Sequence, residues 1–314
     1  MLRKAGSLTL VTRVLTLLVG VAVADGIPSH HASHEGLSPA GERENAKWPD
    51  ETPASGLTRG MALPLDAYLV SFPEMVAVGQ ARNMVASECV SRFGLSWSPV
   101  VEPGEYPPFS YNATNMVRRY GLADLEHASE NGYRLPPEYL DESPVESVDP
   151  DVDEILSGAD DSGAASNSFN ELDIPEGGCL QEAVNEVGEL DDYLAEELSA
   201  QSYVEAEQMP AVQEATRDWS SCMADRGFSV ATVSEAADLG ASLRSGSKAT
   251  EEEIALAVSE VECKQSSELV DAWFAEEWRI QESLIAEHEE ALQGARSRTE
   301  QTLDWVVRRV KSSS

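Results

Sequence analysis

S-E-C-V-S-R-F-G-L (residues 87–95) and S-S-C-M-A-D-R-G-F (residues 220–228) are near-copies of one pattern, C-x4-G-[L/F]. In each copy a cysteine lies near the end of an apolar, helix-periodic run. The glycine supplies the left-handed residue that stops a helix, and the apolar residue after it folds back on the last turn. Two more cysteines follow, Cys179 after the first copy and Cys263 after the second. The spacing predicts a mainly α fold of disulfide-linked helical hairpins in a duplicated arrangement. Pairing Cys89 with Cys179 and Cys222 with Cys263 gives both halves the same plan. Four cysteines allow three connectivities, and pairing across the halves is the main competitor.

Outward from the first copy, Pro73 and Glu74 open a helix whose apolar positions Met75, Val78, Met84, Val85 and Cys89 recur at threes and fours. Four prolines between Trp97 and Ser110 make the next stretch irregular. Val117–Ser129 reads as a short helix stopped by Asn131 and Gly132. Cys179 starts a helix whose apolar side runs through Leu180, Ala183, Val184, Val187, Leu190, Leu194 and Leu198. Around the second copy, Pro210 opens a helix carrying Val212, Ala215, Trp219, Cys222 and Met223. T-E-E-E then sets a capping box from Thr250 and Glu253. It begins a long C-terminal helical stretch, from about residue 251 to about residue 310, with Gly294 as its expected weak point.

The N-terminus carries Arg3, Lys4 and Arg13 before an apolar run from Val14 to Ala24, with Ala22 and Ala24 as small cleavage-site residues. That is the form of a signal peptide cleaved after Ala24, and the run is well short of the ~20 residues that span a bilayer. Residues 25–60 have the composition of a disordered leader. Residues 61–314 are expected to form a single helical domain. Within it, 135–216 holds no Lys or Arg but 23 Asp and Glu, and 141–176 reads as a mobile, disordered acidic loop.

The chain has 314 residues and a net charge of −34; removing residues 1–24 leaves 19 basic against 56 acidic residues, or −37. Such a charge opposes nucleic acid and anionic membrane surfaces at long range. No later segment is apolar enough for an integral membrane protein. An even cysteine count in an exported chain favours disulfides over metal ligation or thiolate chemistry, and no C-x2-C pair offers zinc spacing.

The motifs L-P-L-D-A-Y, E-C-V-S-R-F-G-L-S-W, R-R-Y-G-L, I-P-E-G-G-C-L-Q-E-A, W-S-S-C-M-A-D-R-G-F and A-L-A-V-S-E-V-E-C occur in this order over about residues 61–270. In this the chain resembles uncharacterised secreted proteins and lipoproteins of actinobacteria. The resemblance implies an exported helical protein with paired cysteines and brings no activity or catalytic residue. The chain lacks the lipid-anchor cysteine of the lipoprotein members.

Little in the sequence points to catalysis. There is no G-x-S-x-G elbow. Of five histidines, His30, His31 and His34 fall in the leader, and His127 and His288 read as surface residues. H-H-A-S-H-E (30–35) is a flexible metal lead. Asp149, Asp151 and Asp153 alternate as in calcium loops, but Glu154 stands where the loop needs glycine and Asp160 where it needs glutamate, and Pro150 fits poorly. The carboxylate pairs Asp191/Asp192 and Glu196/Glu197 read as solvated faces. Trp97, Tyr106, Phe109, Tyr111, Tyr120 and Tyr133 form the one aromatic enrichment, read as packing over the first helix with a ligand groove as the alternative. Arg296, Arg298, Arg308, Arg309 and Lys311 form a basic end that stabilises a helix C-terminus on its own, with docking on an acidic surface, including that of a second copy, as the functional alternative.

The expectation is therefore a non-catalytic binding or interaction protein of the cell envelope or extracellular space. No catalytic, cofactor or metal residue is assigned; the four cysteines are the only site residues. The partner is an unspecified protein or envelope component, and self-association is allowed. The alternatives are a cell-envelope hydrolase with an unrecognised acidic site and a low-affinity cation-binding protein.

Overall fold

A computed structural model of the chain describes residues 52–99, 114–135 and 148–313. The signal-peptide and H-H-A-S-H-E readings lie outside these residues. So do leader residues 25–51, Tyr106, Phe109 and Tyr111, residues 141–147 and the side chain of Lys311.

A 3-10 turn at Pro64–Tyr68 precedes α1 (Phe72–Ser91), α2 (Met116–Arg119), α3 (Leu125–Asn131) and α4 (Pro150–Ser157). A two-stranded antiparallel hairpin follows, β1 (Ser168–Phe169) with β2 (Leu172–Asp173), paired Ser168 to Asp173 and Phe169 to Leu172. Then come α5 (Gly178–Val187), α6 (Tyr193–Glu207), α7 (Pro210–Asp225), α8 (Val233–Leu243), α9 (Glu251–Ser267) and α10 (Leu269–Ser313). The fold is mainly helical, with two disulfides and a long C-terminal helix. Among the described residues no helix is long and apolar enough to cross a membrane.

The apolar side chains gather into two clusters. One is formed by α1, α4 and α5 with Leu303 and Val306 near the end of α10. The other is formed by the 3-10 turn, α2, α3, α6 to α9 and the earlier part of α10, including Trp219, Trp273 and Leu284. At 1.5 Å per residue α10 is about 68 Å long, so one helix contributes to both cores.

Each core carries one bridge. Cys89 of α1 is bonded to Cys179 of α5, and Cys222 of α7 to Cys263 of α9, both with Cα atoms 5.6 Å apart. Gly94 and Gly227 take φ of +76° and +94°, the left-handed conformation that only glycine adopts without a Cβ penalty. The repetition extends beyond the cysteine pattern. Two residues before each cysteine a serine hydroxyl donates to a backbone carbonyl ten residues on, Ser87 to Trp97 and Ser220 to Val230, both at 2.6 Å. Beside each bridge an arginine at the helix end pairs with a glutamate of the bridged partner helix, Arg92 with Glu182 and Arg226 with Glu262.

Several expectations need correction. The acidic span is not a loop from residue 148 on. Val152, Ile155 and Leu156 lie on one face of α4 and are buried, a helical period that its composition conceals. Phe169 of the hairpin meets Phe93 edge-on at 6.5 Å. Asp149 is the N-cap of α4, with Asp151 and Asp153 in its first turn. Asp149 accepts from the Asp151 N–H, and all three carboxylates lie at the helix N-terminus, a favourable place for negative charge. Leader residues 52–60 are ordered: Leu57 N–H donates to the Ala123 carbonyl at 2.7 Å, and Thr58 is buried.

The helix expected over 117–129 is broken between α2 and α3. The single apolar face expected from Cys179 to Leu198 is interrupted at Gly188–Asp192, between α5 and α6. The terminal stretch divides at Glu268, which adopts a left-handed conformation, and kinks at His288, while Gly294 stays helical. Thr250 caps α9 by accepting from the Glu253 N–H. The Glu253 carboxylate does not close the capping box, because it turns inward to Arg134 and the Tyr133 N–H.

Candidate functional site

Three acids on the inner faces of α9 and α10 are buried: Glu253, Glu260 and Glu277. Each is met by donors from residues 114–135. Glu277 accepts from the Arg119 guanidinium, the Tyr120 hydroxyl at 2.8 Å and Ser202 at 2.9 Å. Arg119 also lies 5.4 Å from the centre of the Tyr203 ring, which stacks on Trp273. Glu260 is paired with Lys264, and accepts from the Tyr133 hydroxyl and the Leu122 N–H. Glu253 is paired with Arg134 at 3.2 Å.

A buried carboxylate needs such matching, since an uncompensated one costs several kcal/mol. Burial and the neighbouring Glu277 push the Tyr120 hydroxyl well above its ordinary range, and burial and Glu260 do the same to Tyr133. Burial lowers Lys264, with Glu260 offsetting part of the effect. The oxygens of these acids are already engaged by the chain, so the network secures α2 and α3 against α9 and α10.

The other sequence candidates are scattered. His127 begins α3 beside Arg118, with 2.7 Å between its Nε2 and the Arg118 Nη2. His288 marks the kink of α10. Asp191 pairs with Arg298 at 2.7 Å, and Asp192 accepts from the Val70 N–H at 2.9 Å. Glu196 and Glu197 lie on the exposed face of α6. Trp97 packs against the first bridged core, while Tyr120 and Tyr133 are buried in the second. Among the described residues no three of His, Cys, Asp and Glu are grouped as a metal site, and no cysteine is free.

The basic end of the chain is used largely within the molecule. Arg296 binds Glu74, which closes the capping box with Ser71 at the start of α1, at 2.6 Å, and Arg309 pairs with Glu88 of the same helix at 2.5 Å. Burial works to raise the Glu74 carboxyl, but Arg296 and the Ser71 N–H outweigh it and hold the group below its ordinary 4.5. Arg308 has no hydrogen-bond or ion-pair partner among the described residues.

That arginine borders an open groove of about 590 Å³ between the turn joining α5 to α6 and the last turns of α10. The turn is fixed by two threonines one helical turn apart. Thr302 donates to the Glu189 carbonyl at 2.9 Å, and Thr299 accepts from the Asp191 N–H at 2.9 Å. Val187 and Thr302 are buried in the lining, and Trp305 is half-buried. Tyr193 stands out from it with 71% of its surface exposed. The Tyr193 hydroxyl, the Trp305 indole N–H and the Gln301 amide have no partner among the described residues.

Two aromatic surfaces with unpaired polar groups around a concave floor can bind a small ligand or a chain end. Sequence reasoning named Arg298 and Arg308 but missed Tyr193, Gln301 and Trp305. The available signal was Gly188 followed by two aspartates, a helix stop and a restart. Reading one continuous apolar face from Val187 to Leu198 hid the turn that builds the groove.

No protein-family model matches the chain, and searches among curated proteins and solved structures likewise found no match.

Proposed function

We propose that this is an exported binding protein of the cell envelope or extracellular space, working without covalent chemistry and taking its ligand in the groove beside Tyr193, Trp305 and Arg308. The observation that carries this reading is an exposed aromatic ring and a cation without a partner among the described residues, on a concavity whose turn is hydrogen-bonded to α10. The buried acids, by contrast, are consumed by the chain's own donors. Two disulfides and the apolar run ending at Ala24 support export. The ordered motifs support membership of the actinobacterial group of secreted proteins and lipoproteins that the sequence resembles.

The test is chemical-shift mapping of the oxidised protein against a library of small polar and aromatic fragments. Perturbations should converge on residues 187–193 and 298–308. Scattered perturbations, or none in the groove, would sink the reading. For export, mass spectrometry of the secreted chain should find Asp25 at its N-terminus.

A further inference from the structure

We infer that the ligand of this groove is a neutral saccharide, an assignment that rests on the binding reading above. The charges around the groove balance. Arg298 is neutralised by Asp191 across 2.7 Å, and Arg308 shares the lining with Glu189. The chain as a whole carries −34, a field that repels polyanions at long range. One arginine beside a glutamate in the lining is not enough to reverse it. A cation would meet many stronger acidic surfaces elsewhere on the molecule, so charge does not select the groove.

What distinguishes the groove is planar amphipathic chemistry. Tyr193 offers an exposed ring and Trp305 a half-buried indole. The C–H face of a pyranose packs on such a ring, while its hydroxyls point outward in the ring plane. The polar groups beside the rings suit those hydroxyls. The Gln301 amide donates and accepts, Glu189 accepts in two directions, and the Arg308 guanidinium and Trp305 indole donate. A purely apolar ligand would leave all of them unpaired. The open shape suits a segment of a longer glycan, held by stacking and exchangeable hydrogen bonds, with modest affinity.

The experiment titrates the full oxidised protein with cellotetraose, chitotetraose and maltotetraose as neutral probes, and with tetragalacturonate as the anionic counterpart. Saturation-transfer NMR and tryptophan fluorescence report binding. At least one neutral probe is expected to bind, and Tyr193→Ala should weaken it by about tenfold or more. This variant changes an exposed side chain and should keep the parent's melting temperature. Gln301→Ala, also on the surface, should weaken binding without altering folding. Failure of all neutral probes, or neutral binding unchanged in both variants, overturns the assignment, as does preference for tetragalacturonate. Fragment mapping on the same samples separates that outcome from failure of groove binding itself.

Discussion

Arg119 of α2 and Glu277 of α10, 158 residues apart in sequence, form a buried ion pair at the centre of the larger core. The carboxylate is fully buried and the guanidinium nearly so. Tyr120, Ser202 and Gln281 surround the pair as further donors. The short helix α2, which its own sequence would scarcely stabilise, is thereby held against α10. Helices of this length are marginal without tertiary contacts.

Glu277→Gln keeps the shape of that side chain but leaves Arg119 buried without a counter-charge. The expected cost is about 3–5 kcal/mol, the range for breaking one partner of a buried pair. Arg119→Met should cost a similar amount, and the double variant less than the sum of the two. Urea unfolding of the four proteins checks this; strictly additive losses would show that the two groups do not act together.

Tyr120 and Tyr133 must stay protonated to donate to Glu277 and Glu260. Their folded values are raised above the ordinary 10.0. Stability from these groups is therefore full below about pH 10 and is lost as pH rises further, because the unfolded chain releases the protons first. Tyrosinate absorbance should rise in step with loss of far-ultraviolet circular dichroism. In Tyr120→Phe the alkaline decline should be shallower. Full ionisation of the tyrosines with the helices intact would contradict this account.

Ser87→Ala and Ser220→Ala each remove a hydroxyl that ties the chain after a bridged helix back onto it. Each should cost about 1 kcal/mol, the usual net contribution of one intramolecular hydrogen bond. The two serines belong to different cores, so the losses should add in the double variant. Thermal denaturation suffices for the comparison, and no loss in either single variant would show that these hydroxyls do not stabilise the ends of the bridged helices.

The two bridges close loops with sequence separations of 90 and 41 residues. In the chain-entropy model they contribute about 4.6 and about 3.9 kcal/mol as upper estimates. Replacing Cys89 and Cys179 by alanine should therefore destabilise more than replacing Cys222 and Cys263, though by under about 1 kcal/mol. Denaturant midpoints measure the order, and thiol counting on the denatured, unreduced protein should find no reactive thiol.

Much of the helical frame was legible in local sequence. Pro73 and Pro210, Ser71 with Glu74, and Gly94 and Gly227 mark helix boundaries through backbone chemistry that acts within a few residues. The break at Gly188–Asp192 carried a local stop at Gly188 that the apolar spacing masked. The burial of α4 and the inward turn of Glu253, by contrast, each depend on a partner more than twenty residues away in sequence. Composition and periodicity do not register such partners.

By itself the sequence determined that the chain would be helical, acidic and built around two cysteine-bearing copies of one helix end. Steric rules at glycine and proline and the 3.6-residue period of burial are local. Only the tertiary structure decided which cysteines pair, which acids are buried, and that Tyr193 and Trp305 border one groove. Those outcomes depend on which helices pack together: α1 on α5, α7 on α9, and α10 along both cores. The energies that select among them, burial of charge and matching of donors, exist only when distant segments exclude water jointly.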